Sequence, residues 1–358
     1  MNQFKGVKPS AGRIVLCSIL AGIVGLIQPF AVMLQLMLPM PAVSIAMMLC
    51  VALYAYAGWI PAGILMGLGA VCSLFSFGFA PGLIVLLMWV LPAVLMILGI
   101  RSKRPFFEQM RRGIGVCLAA TALAIALTAL MVGGDMIAAA MEQVRAAFEA
   151  QKDSIWTAVQ AALEGMPMRL GKEEFLEAYY AVFDMLQSYY EYYLLSNLLT
   201  GAVISAMVSV LWGNWLSARR GEATKDSFQG LSEWFLPANM TFGILLVLAA
   251  SLILARAGIA GGQTAWVVVC SLAQLAFMVQ AFAALDRRMR ASGSGRGKRT
   301  ALILLLIIGG AMLGRIFGIL SLYDVLAFAG CASTLFGSKG AAKPWIQKIK
   351  DKMDGEDR

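Results

Sequence analysis

The sequence predicts an all-α fold, a polytopic transmembrane bundle of about eight to ten spans, and three observations predict it. Sixty per cent of the 358 residues are hydrophobic and only 14% are charged, with a mean hydropathy of +0.78. From Ile14 to Ile100 the chain runs 87 residues without an Asp, Glu, Lys or Arg, which no soluble core accommodates. The apolar runs also have the right length, because a hydrocarbon core of about 30 Å takes about 20 helical residues per crossing. Barrel strands would need runs of about ten strictly alternating residues, which are absent, so helices must satisfy the backbone in lipid.

The elements follow in order. Lys5, Lys8 and Arg13 precede an apolar run that is too long for a secretory signal and has no small-residue cleavage site, so an uncleaved first span is expected. Pro39, Pro41, Pro61, Pro81 and Gly82 punctuate the long block and divide it into spans at 14–38, 42–60, 62–80 and 82–100. Arg101, Lys103, Arg104, Arg111 and Arg112 then stand against the single acid Glu108. Cytoplasmic loops collect Lys and Arg. If this cluster and the N-terminus are both cytoplasmic, an even number of crossings separates them, and four satisfies length and parity together.

A fifth span at 113–133 closes an N-terminal membrane bundle, 1–133. The interval 134–191 holds ten acids and four bases and is expected outside as an insertion of two amphipathic helices, about 136–163 and 173–191. Six of the nine tyrosines fall at Tyr179, Tyr180, Tyr189, Tyr190, Tyr192 and Tyr193. They suit either a headgroup-level belt or a lid that stacks on a ligand. A C-terminal bundle, 192–337, follows with spans at 192–216, 237–255, 264–285, 301–319 and 322–337, and then a charged cytoplasmic tail, 338–358. The last two spans require a turn near Leu320 to Leu322. This topology places 23 of the 29 basic residues inside.

Composition excludes several chemistries. Histidine is absent and the six cysteines are scattered through apolar stretches, which argues against zinc sites, His-dependent triads and redox pairs; no metal or cofactor is expected. No phosphate-binding G-x-x-x-x-G-K-[ST] loop occurs, so any active transport must draw energy from a gradient or another subunit. Glu173, Glu174 and Glu177 share a helical turn without a nucleophile or base beside them and read as a solvated face. An enzyme is not expected, and neither is a nucleic-acid partner.

The remaining candidates lie in the membrane. Cys17, Ala21 and Gly25 form a small-residue stripe, and Gly310, Gly314 and Gly318 form a stricter one; each suits close helix approach, either within the bundle or against a partner subunit. Arg315 and Asp324 are intramembrane charges, by default a functional hypothesis. On one continuous helix they would stand on opposite faces about 13 Å apart, so they pair only if the chain reverses between them. Gln28, Gln35, Asn197, Asn214, Gln274 and Gln280 add polar groups, suited to interhelical glue or to a shared cavity.

LPMPA at 39–43, LSEWFLP at 231–237 and GILSLYD at 318–324, together with the long insertion, resemble the YybS-like family of predicted bacterial membrane proteins of unknown function. LSEWFLP carries the most specific match, through Glu233, Trp234 and Pro237. The resemblance leads one to expect a second acid and then Arg after Asp324, where Phe328 and Gly330 stand. It also implies kinship with the substrate-binding S components of energy-coupling factor transporters, which capture a small molecule from outside and work with a membrane T subunit and ATPases. The expectation is thus a multi-pass protein of the bacterial cytoplasmic membrane that binds or helps transport a small solute, with a scaffold recruiting envelope proteins or lipids as the alternative.

Overall fold

The computed structural model describes residues 9–33, 42–133, 136–163, 171–219, 230–313, 315–316 and 320–336. Two units are distinct, Met1–Glu222 and Ala223–Arg358. Their boundary falls in the polar stretch after the sixth expected span, whereas polarity alone suggests divisions at 133 and 191.

The first unit contains α1 (Ala11–Met33), α2 (Ala42–Ala57), α3 (Trp59–Phe77), α4 (Phe79–Arg101), α5 (Phe106–Val132), α6 (Met136–Leu163) and α7 (Lys172–Arg219). The breaks on either side of α3 fall at Gly58 (φ +95°) and Gly78 (φ +81°), where only glycine turns without strain. Pro61 and Pro81 instead sit in the first turns of α3 and α4, where a missing N–H costs nothing. The prolines therefore mark helix starts, and the spans expected at 62–80 and 82–100 begin three residues earlier.

Helix α1 lies along α3, α2 contacts α3, α4 and α7, and α5 contacts α4 and α7. Trp89, Leu65, Ile97, Val51, Phe106 and Val210 fill the interior. Val15, Leu16, Ile19, Leu20, Ile23, Leu26 and Ile27 of α1 are each about half exposed, a patch a soluble surface would not carry and lipid would cover.

Helix α7 corrects one expectation. A second insertion helix ending at 191 and a span starting at 192 are a single helix of 48 residues, about 72 Å long. No Gly or Pro interrupts 172–200, and a change from polar to apolar side chains does not break a backbone hydrogen-bond ladder. Its apolar stretch is Tyr193–Ala218, so the preceding 21 residues reach about 30 Å beyond the bilayer core. There α6 runs against it: Trp156 meets Phe175 at 5.3 Å between ring centroids, Tyr180 donates to Glu149 at 2.6 Å, and Lys172 pairs with Asp153 at 2.9 Å.

The second unit contains, among the described residues, a 3₁₀ turn (Leu231–Glu233), α8 (Ala238–Arg256), α9 (Gly262–Ala291), α10 (Arg296–Leu313), a two-residue antiparallel ladder of β1 (Arg315–Ile316) with β2 (Leu320–Ser321), and α11 (Leu322–Phe336). Helix α9 is central, flanked by α8 and α11, around a core of Ala273, Phe277 and Ala327 with Leu236, Ile244, Leu248 and Cys331 beside it. Thr241 of α8 reaches Thr334 of α11 at 3.1 Å. A Cβ on Gly330 would collide with the Phe277 carbonyl, so α9 and α11 are in backbone contact there.

Among the described residues seven helices are long and apolar enough to cross a membrane: α1, α3, α4, α5, the later part of α7, α8 and α9. Helices α2 and α11 are apolar but shorter, at 16 and 15 residues. Helix α10 opens on Arg296, Lys298 and Arg299. Each of the ten expected spans overlaps a helix, but the one expected at 301–319 is helical only to Leu313 and gives way to β1 at Arg315–Ile316, while 34–38, 314 and 317–319 lie outside the described residues.

Candidate functional site

Asp324 lies in the first turn of α11, and its surroundings are closed. Oδ2 accepts from the Ser321 backbone N at 2.8 Å and from Ser321 Oγ at 2.7 Å, while Ser321 Oγ accepts from Asp324 N at 3.1 Å. This is a reciprocal capping box, with Asp in place of the more usual Glu. Oδ1 accepts from Gln274 Nε2 of α9 at 2.8 Å. The chain does reverse between Arg315 and Asp324, and the ladder puts Arg315 opposite Ser321. The Arg315 side chain lies outside the described residues, as do Gly314, Gly318, Pro39, Pro41 and Gln35.

The described small-residue positions are packed from within the chain. Cys17, Ala21 and Gly25 are buried, and a Cβ on Gly25 would stand 3.0 Å from Leu68 Cβ and 3.3 Å from the Gly69 backbone of α3. At Gly25 the stripe therefore lies against α3 of the same bundle. Gly310 receives the ring of Tyr323, whose hydroxyl donates to the Ile307 carbonyl at 2.7 Å.

LSEWFLP is fastened along α9. Arg287 donates through Nη1 to the Trp234 carbonyl at 2.5 Å, Leu236 N donates to Gln280 Oε1 at 2.9 Å, and Arg290 stands 3.9 Å from Glu233. Trp234 is buried, and Pro237 caps α8 from just outside its first turn. Side chains of α9 thus satisfy backbone groups of the irregular segment that leads into α8.

A cavity with a basic end lies elsewhere, in the first unit. It has a volume of about 900 Å³ and is lined by α4, α5, the turn between them and Val210 of α7. Leu95, Met96, Leu98 and Val116 give it apolar walls, and Arg101, Ser102, Arg104 and Arg112 give it a basic end. The turn is tightly held: Ser102 N bonds the Leu98 carbonyl at 3.0 Å, Lys103 takes a positive φ of 50°, and Arg104 Nε donates to Ser102 Oγ at 3.1 Å. Gln109, only 4% exposed, donates to the Arg104 carbonyl at 2.6 Å and accepts from Asn214 of α7 at 3.0 Å. Buried amides thus tie the basic turn to a helix about a hundred residues away.

Charge at the cavity's end is unbalanced. Glu108 Oε1 receives both Arg104 and Arg112 at 2.7 Å, so one carboxylate faces two guanidinium groups. Among the described residues Arg101 has no hydrogen-bond or ion-pair partner. The arrangement is an apolar slot with cations at one end, which suits an anion attached to an apolar body. Sequence reasoning used these arginines only for topology and passed over Gln109. The available signal was a basic run directly after an apolar span with a glutamine in the next helical turn.

Helices with lipid-facing apolar surfaces and these interhelical amide contacts define a polytopic helical membrane protein. The chain matches the family model described as Predicted membrane protein (DUF2232) over residues 15–325, and it belongs to that family. The match ends beside Asp324, before the departure at Phe328 and Gly330. No curated protein and no solved structure matches the chain.

Proposed function

We propose that this protein is a multi-pass protein of the bacterial cytoplasmic membrane, with its N-terminus inside, that binds an anionic small molecule and performs no catalysis of its own. The cavity between α4 and α5, with its three arginines against one glutamate, carries this reading. It replaces Arg315 and Asp324 as the favoured binding site, because Asp324 spends both oxygens on Gln274 and Ser321. Positive-inside orientation puts the basic turn at the cytoplasmic face, opposite to the side from which an S component captures its substrate. Binding therefore stands nearer to the geometry than uptake, and a T subunit with ATPases would have to dock away from the Cys17 stripe that α3 already covers.

The test is a thermal-shift series on the purified full chain with inorganic phosphate, glycerol 3-phosphate and citrate, alongside mass spectrometry of proteins that copurify from the native membrane. A shift with at least one anion that disappears in Arg101→Gln supports the reading. No shift with any of them, together with recovery of envelope proteins, would move the assignment to a scaffold. The long reach of α7 beyond its apolar stretch is the observation that favours that second reading, since a projecting helical hairpin offers surface without enclosing a ligand.

A further inference from the structure

Resting on the reading of the cavity as an anion site, we infer that its occupant is the phosphate headgroup of an anionic phospholipid drawn from the surrounding leaflet. Depth is the first argument. Along α4 the lining runs from Leu95 to Arg101, about 9 Å of helix, so one end lies among apolar residues and the other at the charged turn. A soluble anion would use the basic end alone, whereas a phospholipid matches both ends at once.

Exposure is the second argument. Leu95 and Leu98 are 42% and 44% exposed although they line the cavity, so the slot has apolar sides within reach of acyl chains. Charge is the third. Arg101 is unpartnered among the described residues, and Arg104 and Arg112 share one carboxylate, which leaves guanidinium donors for phosphate oxygens in the forked geometry arginine favours. Basic pockets between membrane helices at the cytoplasmic side are where anionic headgroups gain most. Glu108 competes for the same donors, so it sets the affinity.

The experiment is native mass spectrometry of the full chain taken from vesicles of phosphatidylcholine mixed with phosphatidylglycerol, with glycerol 3-phosphate as the soluble competitor. Retained phosphatidylglycerol should fall about fivefold in Arg101→Gln and again in Arg112→Gln. It should rise in Glu108→Gln and stay unchanged in Arg145→Gln, which removes an exposed charge on α6. Leu98→Gln should reduce lipid retention without altering any binding of glycerol 3-phosphate, and the thermal transition of each variant shows that it is folded. Displacement by glycerol 3-phosphate, with binding indifferent to Leu98→Gln, would overturn the lipid assignment and leave the anion site standing. Retention of neither anion, or equal retention in Arg101→Gln and Arg145→Gln, would overturn both.

Discussion

Asp324 in the second unit and Arg101 in the first are both charges at the ends of apolar helices, and they stand in opposite conditions. Asp324 gives one oxygen to Gln274 and the other to Ser321, so its hydrogen-bonding capacity serves to start α11 and fix it on α9. Arg101 has no described partner and faces a cavity. A charge near a membrane is expensive in either case, but the saturated one holds structure and the unsaturated one is available to a ligand. Rarity in the sequence singles out Asp324, while unspent hydrogen-bonding capacity singles out the arginine turn.

The contrast is broken most forcefully at Gly330. Any side chain there meets the Phe277 carbonyl, so Gly330→Ala should destabilise the second unit by about 3 kcal/mol, the upper end for overfilling a close contact. Thermal unfolding in detergent reads the loss, and anion retention by the first unit should persist below the transition. An unchanged transition would mean that α9 and α11 do not approach as closely as described. The same contact explains why an arginine, expected after Asp324 from the family resemblance, has no room at position 330.

Next in size is Asp324→Ala, which removes the cap and the bond to Gln274. The expected cost is about 2 kcal/mol, a cap together with a charge-assisted bond. Amide hydrogen exchange should quicken in the first turn of α11, with anion retention unaltered. If retention fell while exchange stayed slow, Asp324 would belong to a ligand site and the division drawn above would fail.

Gln109→Ala removes two interior hydrogen bonds, to the Arg104 carbonyl and from Asn214, and should cost about 2 kcal/mol at about 1 kcal/mol each, with Asn214 keeping its bond to the Val210 carbonyl at 2.9 Å. Its diagnostic effect is on the turn: exchange across Ser102–Pro105 should rise and anion retention should drop, since Arg104 loses its tether. Equal exchange in wild type and variant would show that the turn holds itself.

How far these features are legible in the sequence depends on what each requires. The helices and their lipid-facing character follow from the uncharged 87-residue block and its periodic length. Helix boundaries are legible where glycine needs positive φ, at Gly58 and Gly78, and are misread where proline is taken as a break and not as a start. The continuity of α7 was hidden by polarity, which tells which solvent a helix meets and not where it ends. The site was hidden for another reason. Gln109 meets Asn214 across 105 positions, so the cavity exists only once α7 has folded back, while Arg104, Glu108 and Arg112 look locally like an ordinary basic loop. Gly330 is one glycine among 36, and only the path of α9 distinguishes it.

The α6–α7 hairpin offers the smallest effect and sharpens the comparison, because its charges are paired but exposed. The hydrogen bond from Tyr180, and then that from Lys152, holds the Glu149 carboxyl below its ordinary range, and Lys172 does the same for Asp153. Glu149 in turn raises Lys152 and Tyr180. A lowered carboxylate contributes stability above its unfolded pKa, about 4, and loses it as pH falls through the folded value. The raised Lys and Tyr contribute fully below about 10 and lose their contribution as pH rises through theirs. Hydrogen exchange in peptides covering Glu149–Trp156 and Lys172–Tyr180 should therefore be slowest relative to the unfolded chain between roughly pH 5 and 9, and protection should weaken at both ends. Lys172→Gln should flatten the part of the acid limb that comes from Asp153 and leave the alkaline limb intact. Because these groups are solvent-exposed, high salt should erode the same protection, whereas the Asp324 cap, enclosed by Gln274 and Ser321, should be far less sensitive. Equal salt sensitivity at the two places would mean that saturation and enclosure do not separate the structural charges of this protein from its solvated ones.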